Sequence, residues 1–473
     1  MASIGTQERP LRVAIIGSGP AGFYAAGHLL KSKSHPDLCV QVDMYDRLPT
    51  PWGLVRGGVA PDHPNIKAVS RVYEKTAMHP EFRFFGNVEL GRDVTQDDLL
   101  GRYHAVIYAV GSQTDRRMGI PGEHLPGSWA ATEFVAWYNG HPDYRDLEFD
   151  LGHERAVVVG NGNVATDVAR MLALPGEELA RTDVADHALE VLAESKVREI
   201  VVLGRRGPAQ AAFTNPELLE LGEMTDADVF VDARDVELDP LSKAFIESDA
   251  ASATVRKNVE ILSGYAARKP TGKRRRIVLR FLVSPVEILG RERVEGVRIC
   301  RNELVPDASG ALRARPTDAI EEMECALVFR SIGYRGMPLE GLPFDERRGT
   351  VPNEGGRIIA DDGEPLTGEY VVGWIKRGPT GIIGTNKRDA QETVDLLLED
   401  LDAGRLLDPA DPDRESLELL LAERAPEHVT YAGWEAIDRA EKAAGEPQGR
   451  PRVKLCSLEE LLDAARETEK VSG

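Results

Sequence analysis

Residues 11–22 read LRVAIIGSGPAG, an apolar run that leads directly into a glycine-rich turn. The apolar half is rich in β-branched residues and predicts a buried strand, while the residues after the turn have the spacing of a helix. In such a strand–turn–helix unit Gly17 allows a tight turn, Gly19 lets the backbone approach a pyrophosphate, and Gly22 lets the helix pack closely on the sheet. The stretch therefore predicts a dinucleotide site at a helix N-terminus, where free N–H groups attract an anion.

A second stretch, residues 156–165 with the sequence AVVVGNGNVA, repeats this pattern about 140 residues later. Its apolar run again predicts a strand, and two glycines follow at the same spacing. One such turn is weak evidence, because glycine-rich turns are common, but two in the same context predict two nucleotide sites. We therefore predict an α/β protein with two Rossmann-like nucleotide-binding domains.

The strand that follows each turn ends in a different charge. Residues 40–45 predict the next strand of the first unit, and Asp46 at its end is placed to accept hydrogen bonds from a ribose hydroxyl, which suits FAD or NAD. In the second unit the strand over residues 198–203 leads to Arg205 and Arg206. Guanidinium groups match a phosphate that a carboxylate would repel, so this site is predicted to take NADP(H).

Two further apolar runs that end in glycine mark the predicted domain boundaries. Residues 103–111 (YHAVIYAVG) and 325–333 (CALVFRSIG) each predict a buried strand. We therefore expect a discontinuous FAD-binding domain over residues 1–111 and 333–473, the second part with C-terminal helices. An NADP-binding domain over residues 112–332 is expected to interrupt it.

Residues 370–384 predict a strand, a tryptophan and a glycine-rich loop that opens a helix near Asn386. Trp374 offers a flat apolar surface to a flavin ring. The helix N-terminus, through its dipole and its free amides, can stabilise negative charge on the reduced ring. This part of the chain is therefore predicted to complete the flavin site.

Composition excludes several classes of protein. The chain has 473 residues and a net charge of −20, which opposes general binding of nucleic acid. No apolar run approaches the roughly 20 residues that a membrane-spanning helix needs. The first ten residues resemble neither a signal peptide nor a transit peptide, so a cytoplasmic location is expected. The four cysteines have neither a CxxC motif nor the spacing of metal ligands, which predicts reduced single thiols and no metal site.

Residues 265–301 reverse the overall charge locally, with eleven Lys and Arg against three acidic residues. Strand-like alternation in this stretch favours the solvent-exposed face of a β-hairpin. The alternative is a positive docking surface for an acidic protein. At the level of the sequence both interpretations stay open.

Three longer stretches resemble signature segments of the adrenodoxin reductase family, the mitochondrial-type ferredoxin–NADP⁺ reductases and their bacterial counterparts. They are residues 48–64 (LPTPWGLVRGGVAPDHP), 204–220 (GRRGPAQAAFTNPELLE) and 371–387 (VVGWIKRGPTGIIGTNK). The resemblance covers nearly the whole chain and implies a two-domain flavoprotein of the glutathione-reductase type. It implies hydride transfer from NADPH to flavin N5, followed by release of single electrons to a ferredoxin-type iron–sulfur protein that supplies enzymes such as cytochromes P450.

The resemblance also assigns site residues by matching position. It implies that FAD is held by Gly17, Gly19, Pro20, Ala21, Gly22, Asp46, Leu54, Val88, Trp374, Gly381, Ile382 and Ile383. It implies that NADP(H) is held by Asn161, Gly162, Asn163, Val164, Arg205, Arg206, Glu217 and Gly381, with Arg116 as a further contact. Three polar residues match positions near the flavin and are the catalytic candidates, namely His63, Asp167 and Glu220.

Two other functions remain open. One is an FAD- and NADPH-dependent enzyme with another acceptor, such as a monooxygenase or the electron-input subunit of an amidotransferase, although no cysteine-rich segment precedes the first glycine turn. The other is a non-catalytic module that senses nucleotides. A disulfide reductase is excluded by the missing CxxC motif.

Overall fold

The computed structural model describes residues 3–308 and 310–471. They form two compact units: the first contains the residues up to 59, 63–114 and those from 334 onward, and the second contains 60–62 and 115–333. The chain leaves the first unit after residue 114 and returns to it at residue 334, where the sequence predicts boundaries at 111 and 332. Among the described residues, no helix combines the length and the apolar character that a bilayer crossing requires.

Strands and helices alternate along most of the chain, as in α/β proteins. The strands are β1 (Leu11–Ile16), β2 (Val40–Tyr45), β3 (Phe82–Phe85), β4 (Ala105–Tyr108), β5 (Thr114–Asp115), β6 (Ser128–Ala130), β7 (Arg155–Val159), β8 (Glu199–Gly204), β9 (Ala227–Val231), β10 (Arg275–Phe281), β11 (Val283–Leu289), β12 (Gly296–Pro306), β13 (Leu312–Glu324), β14 (Leu327–Arg330), β15 (Tyr334–Arg335), β16 (Asn353–Glu354), β17 (Arg357–Ile359) and β18 (Pro365–Val371). The α-helices are α1 (Pro20–Leu30), α2 (Leu54–Gly57), α3 (Pro64–Lys67), α4 (Ser70–Ala77), α5 (Gln96–Leu100), α6 (Ala131–Tyr138), α7 (Asn163–Ala173), α8 (Gly176–Leu179), α9 (Asp186–Ala193), α10 (Asn215–Leu221), α11 (Ala233–Val236), α12 (Pro240–Glu247), α13 (Ala253–Ala266), α14 (Trp374–Arg377), α15 (Thr385–Asp402), α16 (Arg414–Arg424), α17 (Tyr431–Gly445) and α18 (Leu458–Val471).

The first unit is built on a seven-stranded sheet of order β16-β17-β18-β4-β1-β2-β3. The five strands from β18 to β3 run parallel, and β16 and β17 extend one edge antiparallel. Every residue of β1 is buried because helices cover both faces of the sheet, which explains the uninterrupted apolar run in its sequence. Helix α1 begins at Pro20, a residue suited to the first helical position.

The second unit contains a six-stranded parallel sheet of order β6-β14-β7-β8-β10-β9. A separate antiparallel sheet, β11-β12-β13, belongs to the same unit. Each parallel sheet has a strand–glycine turn–helix unit at its centre, formed by β1 and α1 in the first and by β7 and α7 in the second. The predicted α/β class with two Rossmann-like domains is confirmed.

The two chain crossings lie side by side, because β5 and β15 pair with each other. Within the first unit the Thr114 hydroxyl donates to the Arg335 carbonyl at 3.0 Å. Within the second unit the Arg116 N–H donates to the Gly333 carbonyl at 3.0 Å. Each crossing is therefore fixed by hydrogen bonds to its neighbour.

Within the first unit, a buried carboxylate joins the C-terminal helix α17 to Arg56 in α2. Glu441 in α17 is fully buried and forms two hydrogen bonds with the Arg56 guanidinium, at 2.8 and 2.5 Å. It also accepts from Arg452 at 3.0 Å and from the Leu455 N–H at 2.9 Å. Although burial alone would raise the pKa of Glu441, the neighbouring guanidinium groups hold this pKa below its ordinary value. The carboxylate is therefore charged and fully hydrogen-bonded in the folded protein.

We predict that Glu441→Gln lowers the free energy of unfolding by about 3–5 kcal/mol, because it removes the counter-charge of Arg56 and one of the two carboxylates that pair with Arg452. Thermal unfolding at pH 7 measures the loss, and Glu435→Gln, at an exposed position of the same helix, should change stability by less than about 0.5 kcal/mol. The pKa of Glu441 is depressed by folding, so its contribution is present above the ordinary carboxyl pKa and disappears as the pH falls through the folded value. Equal melting temperatures for the two variants at pH 7 would contradict the assignment.

Candidate functional site

The first glycine turn places its three glycines under different constraints. Gly17 has φ +108°, and a Cβ there would lie 2.5 Å from the Ala109 carbonyl oxygen. A Cβ on Gly22 would collide with the carbonyl oxygen of Gly17, so this residue allows α1 to approach the turn. A Cβ on Gly19 would meet no atom within 4 Å. The first and third glycines are therefore required by the protein itself, and the space beside Gly19 is open to a ligand.

Asp46 closes the other side of this turn. Its carboxylate accepts from the N–H and hydroxyl of Ser18, at 2.9 and 2.5 Å, and from the N–H of Leu48 at 2.9 Å. The Val88 N–H donates to the Asp46 carbonyl at 2.9 Å. Asp46 and Val88 thus lie together at the carboxyl edge of the sheet, and Asp46 follows β2 as the sequence predicts. Ser18 thus donates twice to one oxygen of this carboxylate.

Two loops bring further predicted residues to the start of α1. Gly53 precedes Leu54, has φ +49°, and a Cβ there would lie 2.8 Å from the Cα of Gly19. Gly373 has φ +77°, and a Cβ there would lie 2.7 Å from the Cβ of Ala21. The Gly373 N–H donates to the buried Asp389 carboxylate at 2.5 Å. The chain therefore approaches the first helical turn so closely on both sides that only glycine fits.

Trp374 follows directly and is half-buried, with its ring centroid 5.1 Å from that of Tyr334. Its indole Nε1 is buried and has no hydrogen-bond partner among the described residues. A buried N–H without an acceptor is costly, so this group is suited to a ligand that supplies one.

The loop before α15 carries the remaining flavin candidates. Gly381 has φ +80°, Ile382 is 62% exposed, and Ile383 packs on the core of the first unit. The Ile382 N–H donates to the Thr385 hydroxyl at 3.1 Å, and α15 begins at Thr385, one residue before the predicted start at Asn386. The exposed side chain of Ile382 and the helix N-terminus therefore lie beside each other.

The second glycine turn repeats the geometry of the first. Gly160 has φ +133°, and a Cβ there would collide with the Ser331 carbonyl oxygen. For a Cβ on Gly162 the nearest atom is the Ala212 Cβ at 3.9 Å. As in the first turn, the first glycine is required by the protein and the second leaves space for a ligand.

Asparagines of this turn bind a neighbouring loop. The Asn161 carbonyl accepts from the Ala212 N–H at 3.1 Å, and the Asn163 side chain accepts from the Thr214 N–H at 2.9 Å. Val164 follows in the first turn of α7 and is half-buried. The two asparagines therefore hold residues 211–214 against the N-terminus of α7.

Arg205 and Arg206 follow β8, the strand next to β7. Arg205 is exposed and Arg206 is half-buried. The pKa of Arg206 is lowered, first by burial and then by the positive charges of Arg205 and Arg313. The three guanidinium groups form a positive cluster that an anion would stabilise. Arg313 lies on β13 and was missed, because its distance along the chain gave no sequence signal.

The main chain of this arginine pair is held by the antiparallel sheet. Asn302 is 6% exposed, and its side-chain amide donates to the Arg205 carbonyl and to the Ser284 hydroxyl, both at 2.8 Å. The Leu282 N–H donates to the Arg206 carbonyl at 3.2 Å. Both arginine carbonyls are therefore fixed, and only the side chains are free to adjust to a ligand.

Arg170 contacts the acidic candidates of the second unit, and no local pattern in the sequence predicts this role. This buried guanidinium contacts Asp167 at 3.2 Å, Glu217 at 3.0 Å and Glu220 at 3.2 Å. It also forms a two-point ion pair with Asp62, at 2.8 and 2.9 Å. These acids raise the pKa of Arg170 against the effect of its burial. One positive charge thus holds four carboxylates, three of them predicted site residues.

The two remaining candidates are His63, which directly follows Asp62 in the chain, and Arg116. His63 is a buried residue of the first unit and precedes α3 as its N-cap. Arg116 has an exposed side chain, and its backbone is fixed at the chain crossing. Their predicted roles stay predictions.

The basic stretch 265–301 is largely neutralised within the second unit. Six of its eleven basic residues contact a carboxylate. These pairs are Arg275 with Asp226, Arg276 with Glu199, Arg280 with Glu321, Arg293 with Asp150, Arg298 with Glu322, and Arg301 with Asp235. Arg275 is 2% exposed and is a structural residue. The stretch is therefore not a continuous positive surface, because acids distant in sequence pair with it.

Comparisons with known proteins find similar oxidoreductases by family, by sequence and by structure. The family model described as pyridine nucleotide-disulphide oxidoreductase matches residues 11–202. The chain is 54% identical over 463 residues to the NADPH-ferredoxin reductase FprA of Mycobacterium tuberculosis H37Rv, over 96% of this chain and 99% of that protein. It is 42% identical over 472 residues to the mitochondrial NADPH:adrenodoxin oxidoreductase of Arabidopsis thaliana, over 97% and 96%. The structure of M. tuberculosis FprA in complex with NADPH superposes with a TM-score of 0.92 at 52% identity, over 97% of this chain and 100% of that chain.

We predict that Arg170→Met destabilises the hydrogen-bonded structure of α7 and α10 by about 3–5 kcal/mol, because four carboxylates lose their shared counter-charge. Arg170→Lys should lose less, since it keeps the charge but not the two-point contact with Asp62. Native-state hydrogen exchange of amides in these two helices measures the change. Arg181→Met, at an exposed position of the same unit, is the control and should stay within about 0.5 kcal/mol of the parent. Equal exchange in the Met variants would show that the cluster contributes nothing.

Proposed function

The chain belongs to the adrenodoxin reductase family, as its signature stretches predict, and we propose that it transfers electrons from NADPH through FAD to a ferredoxin-type iron–sulfur protein. The observation that carries this proposal is the pair of open glycine turns with opposite charges at the neighbouring strand ends. Asp46 lies beside the first turn, and Arg205 and Arg206 follow the strand beside the second. A carboxylate suits a ribose hydroxyl and guanidinium groups suit a phosphate, so the two turns favour different nucleotides.

The first unit fits FAD. The open space beside Gly19 leaves room for a pyrophosphate at the N-terminus of α1, and Asp46 keeps acceptor capacity for a ribose. Leu54, Val88 and Trp374 would complete the site, with the unpartnered indole N–H available to an acceptor of the cofactor. FMN lacks the adenosine diphosphate half for which the turn and the carboxylate are suited.

The second unit fits NADPH. Gly162 leaves the N-terminus of α7 accessible, and the arginine cluster offers the donors that a 2′-phosphate needs. Asn302 fixes the backbone of Arg205 and thereby limits the positions that its side chain can reach. Arg170 holds Asp167, Glu217 and Glu220 in fixed positions, so these carboxylates can orient polar groups of a bound nucleotide.

Bound FAD would supply the chemistry that converts a two-electron hydride donor into two single-electron transfers. The residues of the chain bind and orient the nucleotides, and we assign His63, Asp167 and Glu220 the role of polar positioning groups near the reacting rings. A cytoplasmic location and a supply of electrons to enzymes such as cytochromes P450 stay predictions.

The cysteines disfavour a dithiol acceptor. Burial raises the pKa of the Cys325 thiol to about 12 and that of the Cys456 thiol to about 11. Thiols of this kind carry almost no thiolate at neutral pH and exchange slowly with disulfides. Cys325 and Cys456 therefore offer no dithiol chemistry comparable to that of disulfide reductases.

We predict that Arg205→Ala and Arg206→Ala each raise the KM for NADPH about ten- to a hundredfold, because each removes a charge-assisted hydrogen bond to the 2′-phosphate. Asn302→Leu should raise it severalfold through the freed Arg205 backbone, with kcat at saturation unchanged. The KM for NADH, measured with ferricyanide as acceptor, should change little in all three variants. An unchanged NADPH-to-NADH preference in both arginine variants would overturn the assignment of this nucleotide.

We also predict that reduction of an acidic ferredoxin weakens steeply above about 0.1 M salt, where the Debye length is about 10 Å. Lys269 and Arg274 are exposed members of the basic stretch and have no carboxylate within ion-pair distance among the described residues. The variant Lys269→Glu/Arg274→Glu should slow ferredoxin reduction on the order of tenfold at low salt. Ferricyanide reduction should change less than about twofold, because a small acceptor needs no docked surface.

The matched control is Lys31→Glu/Lys33→Glu, which makes the same change of charge beyond the C-terminal end of α1. It should affect ferredoxin reduction much less. Equal losses in the two double variants would show that only the net charge matters. Equal losses with both acceptors would show a structural role.

A further inference from the structure

A cavity of about 260 Å³ lies in the first unit at the edge of the sheet opposite the glycine turn. Arg12 is the second residue of β1, Gln41 the second residue of β2, and His104 immediately precedes β4. All three line the cavity, together with Arg414 at the start of α16. Because β1 is six residues long, this edge lies about 20 Å from the turn at its carboxyl end. The cavity is therefore separate from the proposed nucleotide sites.

Arg12 lines this cavity and carries unused donors that lie beneath its surface. It is 2% exposed, and its Nη2 contacts Asp43 at 3.2 Å, while its Nε and Nη1 are buried without a hydrogen-bond partner in the described part of the chain. Asp43 cannot accept more, because Arg83 donates to it at 2.7 and 2.8 Å and Tyr103 donates at 2.7 Å. One buried carboxylate thus faces two guanidinium groups, and Arg83 also reaches the exposed Glu418.

His104 adds a third donor. It is 1% exposed, and its Nδ1 accepts from the Arg12 N–H at 3.0 Å. A ring nitrogen that accepts carries no proton, so in the neutral ring the proton is on Nε2. Burial lowers the pKa of His104 to about 4, with Arg9 and Arg12 acting in the same direction, so the ring is neutral at pH 7. Its Nε2 is buried and has no hydrogen-bond partner among the residues described.

Arg414 supplies the fourth unused donor. Its Nη2 contacts Glu81 at 3.2 Å, and its Nε is buried without a partner in the described chain. The pKa of Arg414 is lowered mainly by burial. The acidic residues that line the cavity, Glu8 and Asp413, are both exposed, so water screens their charges. The buried part of the wall therefore carries unused donors from three side chains.

Three side chains that line one cavity thus carry four unsatisfied donors just behind its wall, and such donors favour a ligand that only accepts. Such a set, with two guanidinium groups in it, matches an anion with several oxygen atoms. We propose that this cavity binds a small oxyanion, of which inorganic phosphate is the first to test. Water molecules are the alternative occupant, since polar cavities of this size are commonly hydrated.

The test uses the FAD-loaded protein with Arg205→Ala and Arg206→Ala as background, so that phosphate cannot bind at the nucleotide cluster. Addition of 10 mM sodium phosphate, against sodium chloride of equal ionic strength, should raise Tm by roughly 2–4 °C if Kd is about 1 mM. Arg414→Met and His104→Gln should each reduce this rise to below about 1 °C. Arg439→Met, which removes a charge at an exposed position of α17, should retain it. Sulfate and acetate in place of phosphate show whether a tetrahedral or a planar oxyanion binds best.

Isothermal titration of the same background with phosphate gives an independent measure, which does not depend on how well the cavity variants fold. One phosphate bound per chain supports the proposal. No heat of binding, no rise in Tm beyond that of chloride, or the same rise in Arg414→Met would show that the cavity holds water, and each of these results overturns the proposal. None of them bears on the transfer of electrons from NADPH.

Discussion

The close approach of backbone to backbone at the glycine turns is the constraint on which the rest of the structure depends. At Gly17 and Gly160 a side chain would collide with the carbonyl of a neighbouring strand segment, so both turns require glycine before any ligand is considered. This tight turn places the next glycine and the helix N-terminus at the carboxyl edge of each sheet. The strand ends beside the turns then determine the chemistry, through Asp46 in one unit and through Arg205 with Arg206 in the other.

The distribution of charge follows from the same arrangement. The protein carries a net charge of −20, yet Arg205 and Arg206 follow β8 with Arg313 near them, and burial first and then these neighbouring charges lower the pKa of Arg206. Many basic residues elsewhere are paired, including the buried Arg275 and Arg170. Arg313 pairs with Asp307, but Arg205 and Arg206 have no ion pair among the described residues, and a bound anion would offset the repulsion between them. Relief of this electrostatic repulsion would contribute to the free energy of binding an anion at this site.

The sequence predicted the parts of this structure that depend on neighbours in the chain. The bounds of β1 and β2 agree with the apolar runs to the residue, and α15 begins within one residue of its expected position. The cluster around Arg170 joins residues 62, 167, 217 and 220, and Asn302 reaches a carbonyl 97 residues away. Contacts of this kind have no local periodicity. The basic stretch was ambiguous for the same reason, since the acids that neutralise Arg276 and Arg293 lie far outside it.

The chain order of the two units has a consequence for synthesis. The second unit is nearly continuous, from residue 115 to residue 333, whereas the central sheet of the first unit pairs β4 with β18, about 260 residues later. During translation β4 therefore has one unpaired edge until the strand over Pro365–Val371 leaves the ribosome. The inserted unit can form its sheet in that interval, because most of its contacts need no later residues. The second unit can therefore fold before the first can close, and the time during which the β4 edge stays unpaired carries the greatest risk of aggregation.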